Sequence, residues 1–312
     1  MNIQPQTDGQ SYEYTTFPRV FVTYAWFKPL LVALLTAVFT LMISGIMLLI
    51  GLLWLGDPAL MGKAMSNSSP YYYSGPGLLV AVGGVAGMLP ALALAERIVR
   101  GRPFSSYSSS RGGWNWAAYV KSLVLAVVVF GAASFAMAFG MPDAGADGIN
   151  KFTIIGAILC IVVVPLQAAA EEYIYRGLLM QAIGSWTKLP ALAVVLSAII
   201  FAISHSYEVL GIIAVGIEGL GFAFLAWYSR GLEASSAAHA ANNLSVFIFS
   251  GLGLASMGSG GVESVLIVAG EMLLYCACIV LLDRKFNWFT SQGDGVTAFN
   301  EKHGSKAGSK EA

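Results

Sequence analysis

The sequence predicts an all-α, polytopic membrane protein of about eight transmembrane helices with both termini cytoplasmic. Three observations carry that reading. Of 312 residues, 57% are hydrophobic and 11% charged, against roughly 45–50% and about 25% in an ordinary soluble domain. Apolar runs of the length a bilayer core needs, about 20 residues each, recur along the chain. Basic residues crowd into alternate connections, the pattern of cytoplasmic loops. Seventeen basic residues balance seventeen acidic ones, so no net field draws the chain to nucleic acid. A soluble enzyme, a disulfide scaffold and a disordered tail are excluded; Cys160, Cys276 and Cys278 all sit in apolar stretches.

In chain order, residues 1–28 form a polar N-terminal tail without a signal-peptide core, so the first apolar run is expected to remain as an anchor. Residues 29–151 hold three spans without a motif, at 29–55, 75–95 and 114–139. A catalytic core follows over 152–251, with spans at 152–184, 189–206, 209–229 and 233–251. Residues 252–285 carry the last span, 263–282, and 286–312 read as a flexible cytoplasmic tail. Turn chemistry separates the spans, as in 56–70, 141–148, 185–190 and 256–261. With the N-terminus inside, Arg19, Lys28, Arg97, Arg100, Arg102, Arg111, Lys188, Arg230, Arg284, Lys285, Lys302, Lys306 and Lys310 are cytoplasmic, against Lys63 and Lys151 outside. Tyr71, Tyr72 and Tyr73 then read as an aromatic belt at the outer interface.

Charged groups within a bilayer are costly and mark function by default. They concentrate in the second half of the chain. Glu171, Glu172 and Arg176 fall in AAAEEYIYRGLL. Glu172 and Arg176, four apart, share a helix face in the favourable acid-to-base order. Glu171 is turned about 100° away and is free to meet another group. A plain structural ion pair is the alternative on this segment alone. Phe201 and His205 share a face, as do His239 and Asn243. Counted along the helices at 1.5 Å per residue, these groups lie ~9–25 Å from the cytoplasmic ends, compatible with one cavity open to that half.

A carboxylic acid in an apolar site suits a general base. Water held between Glu171 and His205 could attack a carbonyl, and an Asn amide with a His N–H would stabilise the oxyanion. That combination points to hydrolysis of an acyl bond, a peptide above all. The three segments resemble the EExxxR, FxxxH and HxxxN motifs of the CPBP family, the CAAX prenyl protease and bacteriocin-processing membrane proteins. They read here as Glu171-Glu172-Tyr-Ile-Tyr-Arg176, Phe201-Ala-Ile-Ser-His205 and His239-Ala-Ala-Asn-Asn243, in the family's order, over about 152–250.

The resemblance implies an eight-helix intramembrane glutamate endopeptidase that uses no metal or other cofactor. In it Glu171 activates water with help from His205, and His239 with Asn243 forms the oxyanion hole. Glu172, Arg176 and Phe201 support the site. The substrate is then a membrane-associated or prenylated, CAAX-like peptide, with the lipid bilayer as second partner and no nucleic acid. Three other readings stay open: a zinc protease using Glu171, His205 and His239; a non-catalytic peptide-binding or immunity protein; and a proton-coupled transporter using Glu218 and Glu271. Gly83 and Gly87 form a GxxxG pattern suited to close helix packing in an oligomer or within this bundle.

Overall fold

In hydrocarbon, every backbone N–H and C=O must find its partner within the protein, and a helix achieves this inside one segment. The computed structural model describes residues 12–66, 69–140, 146–255 and 261–289. They form α1 (Lys28–Leu55), α2 (Gly75–Ala81, continued by Gly83–Val99 after a 43° bend), α3 (Trp116–Gly140), α4 (Ile154–Thr187), α5 (Pro190–Ile203), α6 (Val209–Ser229), α7 (Glu233–Gly251) and α8 (Val262–Phe286). No strand occurs among the described residues, and an isolated antiparallel bridge joins Ser109 to Gly231. The bundle is all-α and its outer faces are apolar: Leu41, Leu53 and Leu273 are each more than 70% exposed. This is a multi-pass membrane protein.

A helix stands at each of the eight expected positions, yet five are long and apolar enough to cross a bilayer, six if the two halves of α2 make one span. The other two miss for different reasons. α5 has 14 residues, about 21 Å at 1.5 Å per residue. α7 begins EASSAAHAANN, and residues 233–242 are buried among neighbouring helices. A hydropathy scan detects surface offered to lipid; a helix wrapped in protein has no need of it.

Side chains and close approaches set the element boundaries. Ser74 Oγ accepts the N–H of Gly77 at 3.2 Å to cap α2, and Thr153 Oγ1 accepts that of Gly156 at 3.0 Å to cap α4. Arg100, Lys188, Arg230 and Asn287 take left-handed conformations just past α2, α4, α6 and α8, and three of the four place a cation near the negative end of the helix dipole. Within the GxxxG pattern, a Cβ on Gly87 would strike Ile43 of α1, so that glycine serves packing inside this bundle.

The connections gather on two faces. On one, Arg19 donates to the Ser185 carbonyl (2.9 Å) and Trp186 to that of Trp26 (2.8 Å). There the Ser110 hydroxyl donates to the Tyr12 carbonyl (2.9 Å) and the Ser110 N–H to that of Arg230 (3.0 Å). On the other, Gly148 and Lys151 N–H groups donate to the carbonyls of Gly253 (3.0 Å) and Gly251 (2.7 Å). Both described ends of the chain lie on the first face, called here the terminal face. Part of what the sequence presents as tails is packed there: Tyr14 and Phe17 are buried, as is Phe289, whose N–H donates to Asp283 at 2.9 Å. Residues 1–11 and 290–312 lie outside the described residues.

Candidate active site

Helix α4 brings three charged residues to the site, Glu171, Glu172 and Arg176. Pro165 lies inside the helix, and from Tyr173 to Met180 the helix widens into a π-helical stretch directly after the two glutamates. Such bulges are frequent at functional sites. Arg176 Nη1 still reaches Glu172 Oε1 at 2.7 Å, both side chains fully buried, as the four-residue spacing predicts. Arg176 also donates to the Gly219 carbonyl of α6 at 2.9 Å.

His239 of α7 lies between the two glutamates. Its Nδ1 is 2.9 Å from Glu172 Oε1. Its Nε2 is 3.3 Å from Glu171 Oε2, off the hydrogen-bonding line, so that Oε2 is without a donor among the described residues. Glu171 thus faces another group, as expected, but its neighbour is His239. His205 instead places Nδ1 2.8 Å from the carbonyl of Phe201. One turn on from His239, Asn243 donates to Gln167 Oε1 at 3.1 Å, and Asn242 donates to Glu218 Oε1 at 2.9 Å.

Aromatic rings hold this array. Phe201 packs edge-on against both His205 (centroids 4.7 Å) and His239 (5.7 Å) and lies under the Arg176 guanidinium at 4.4 Å. Phe222 stacks on His239 at 4.7 Å. A guanidinium between two rings gains cation–π attraction while staying dry.

Glu171, His205, His239 and Asn243 all line one cavity of about 340 Å³. Glu172 and Arg176 do not line it; they sit behind His239. Gln167, Glu218, Asn242, Tyr72 and Tyr207 complete the polar lining. Gln167 was legible, being a polar residue one turn before Glu171 in an apolar run. Tyr72 and Tyr207 carry no such signal, because loop folding alone brings them here. The supposed aromatic belt divides: Tyr71 is 38% exposed, Tyr72 lines the cavity, and Tyr73 is buried, donating to Ser250 at 2.8 Å.

The cavity reaches toward the face opposite the described chain ends, where Tyr72, Tyr207 and Phe247 line it. Spacing along a helix gives depth but not the direction in which a cavity opens. The set a zinc ion would need is not assembled. No three His, Cys, Asp or Glu residues converge in metal-holding geometry among the described residues, and both nitrogens of His239 already face carboxylates.

Comparison with known proteins places the same part of the chain. Residues 150–245 match the family described as Type II CAAX prenyl endopeptidase Rce1-like. Over 175 residues the chain is 30% identical to the "Uncharacterized protein YyaK" of Bacillus subtilis (strain 168), covering 52% of this chain and 57% of that protein. No solved structure matches. The matched segment runs from the loop before α4 into α7 and holds all three motifs, so residues 150–245 of this chain are similar to the Rce1-like family of CAAX prenyl endopeptidases.

Proposed function

We propose that the protein is an intramembrane endopeptidase in which Glu171 activates the attacking water. The observation that carries this reading is the convergence of Glu171 of α4, His205 just past α5, and His239 and Asn243 of α7 on one cavity, with Glu171 beside a histidine fixed from behind by Glu172 and Arg176. Water between Glu171 and His205 gives its proton to Glu171 as its oxygen attacks the scissile carbonyl. Asn243 has two amide N–H groups; Gln167 takes one, and the other stabilises the oxyanion, together with His239. Glu171 then passes the proton to the departing amine. Glu172 accepts from both Arg176 and His239 Nδ1 and so fixes the orientation of the imidazole.

Valines and Phe247 flank the polar floor, which suits the apolar side chains of a membrane-associated peptide, prenylated CAAX-like tails included. The test compares newly formed peptide termini in membranes of cells expressing the parent chain and Glu171→Gln at equal abundance. Termini present with the parent and absent with the variant are expected and would name the substrate. Identical sets of termini would leave a protein that captures peptides without cutting them.

A further inference from the structure

The position of the cavity in the bundle and the distribution of charge over its two ends are separate observations, and together they bear on which substrates can reach Glu171. α4 ends at Thr187 on the terminal face, and α5 starts there and runs to Ile203, so the 204–208 connection lies on the opposite face. α1 likewise runs from Lys28 near the N-terminal segment to the loop that carries Tyr72. Tyr72 and Tyr207 line the cavity from that side, and Tyr207 is 46% exposed. His239 lies about 12 residues, or ~18 Å, in from the end of α7 on that face. Toward the terminal face, the way is filled by the buried Arg176–Glu172 pair and the buried Arg111–Glu233 pair.

Charge is distributed the other way. Arg19, Arg97, Arg100, Lys188, Arg284 and Lys285 are exposed on the terminal face. The opposite face has Lys63 and Lys151, and Lys151 is paired with Asp147 at 2.8 Å. Arg97, Arg100, Lys188, Arg284 and Lys285 stand at or just past helix C-termini, where the dipole also favours a cation. Excess Lys and Arg in short connections marks the cytoplasmic side.

We infer that the cavity opens away from the cytoplasm and takes its substrate there: an extended, apolar peptide segment of an exported or membrane-anchored protein, presented at the outer surface. This rests on the peptidase reading for the chemistry and narrows it, since a tail made and lipidated in the cytoplasm would approach the closed end of the bundle. The sidedness itself does not depend on catalysis.

Single-cysteine variants test it in whole cells. In a chain with Cys160, Cys276 and Cys278 replaced by alanine, Ser206→Cys probes the cavity face and Lys188→Cys the terminal face; both positions are exposed and neither lines the cavity. A membrane-impermeant maleimide is expected to modify Ser206→Cys in intact cells and Lys188→Cys after permeabilisation only. The reverse pattern, or modification of both in intact cells, overturns the inference. A quenched apolar peptide is then offered to right-side-out spheroplasts and to inside-out vesicles, each with the parent and Glu171→Gln. Glu171-dependent cleavage in spheroplasts is expected, and cleavage confined to inside-out vesicles overturns the inference. The expected labelling with no Glu171-dependent cleavage in either preparation overturns the peptidase reading and the substrate assignment with it, while the sidedness stands.

Discussion

Glu171 is the residue whose replacement separates chemistry from architecture. Its side chain lines the cavity and makes no contact with Arg176, so Glu171→Gln preserves shape and packing while removing the base. Activity is expected to fall to background with thermal stability in detergent unchanged; a variant as active as the parent would end the glutamate mechanism. In the proposed mechanism Asn243→Ala removes one oxyanion donor, and it is expected to cost about 10²–10³-fold in turnover. Glu172→Gln acts differently. It leaves the Arg176 guanidinium buried with no carboxylate, a change worth about 3–5 kcal/mol when one member of a buried pair is lost, so low yield and early melting are expected along with inactivity. The residues that line the cavity, Glu171, His205, His239 and Asn243, were legible in the sequence because polar groups are so rare within apolar runs, and the Glu172–Arg176 contact followed from four-residue spacing. That His239 stands between both glutamates was not legible: spacing rules act within one helix, and this contact joins α4 to α7.

At the scale of elements, the site depends on how closely α5 and α6 approach. A Cβ on Gly219 would come within 2.9 Å of the Phe201 ring and 3.4 Å of the Ala198 carbonyl, and the Gly219 carbonyl accepts from Arg176. Gly216, one turn earlier, would meet only the Ala202 methyl at 3.6 Å, an ordinary contact. Alanine gains about 1 kcal/mol over glycine within a helix, whereas forcing a methyl into a filled space costs roughly 1–3 kcal/mol. Gly216→Ala is therefore expected to match or exceed the parent in melting temperature. Gly219→Ala is expected to melt lower and to lose activity as Phe201 is pushed toward the histidines. Equal melting of the two variants would show that the helices part without cost. Helix positions were readable from hydropathy and turn residues, but their status as spans was not. α7 is polar because it is buried in protein, and a sequence scan cannot tell that surrounding from water.

At the scale of the whole molecule, the two ends of the bundle are built differently. The cavity end is lined by loops and aromatic rings; the terminal end is closed by a buried polar network joining segments distant in sequence. Arg111 meets Glu233 at 2.6 Å with both side chains fully buried. Glu233 also accepts the N–H of Asn115 at 2.9 Å, and the Arg111 guanidinium lies 5.5 Å from the Phe289 ring. In sequence Arg111 counted only as part of a basic loop, because its partner lies more than a hundred residues away. The pair holds the 100–115 connection, the start of α7 and the segment after α8 together. Arg111→Ala should leave the Glu233 carboxylate buried without its cation and destabilise the protein by about 3–5 kcal/mol. Replacing both, as Arg111→Met with Glu233→Gln, removes the orphaned charge and is expected to recover most of that loss. Melting followed by size-exclusion chromatography in detergent reads both variants, and Glu171-dependent cleavage should survive in the double variant because neither residue lines the cavity. A double variant no more stable than Arg111→Ala would mean that the network holds this end by packing and not by pairing charge.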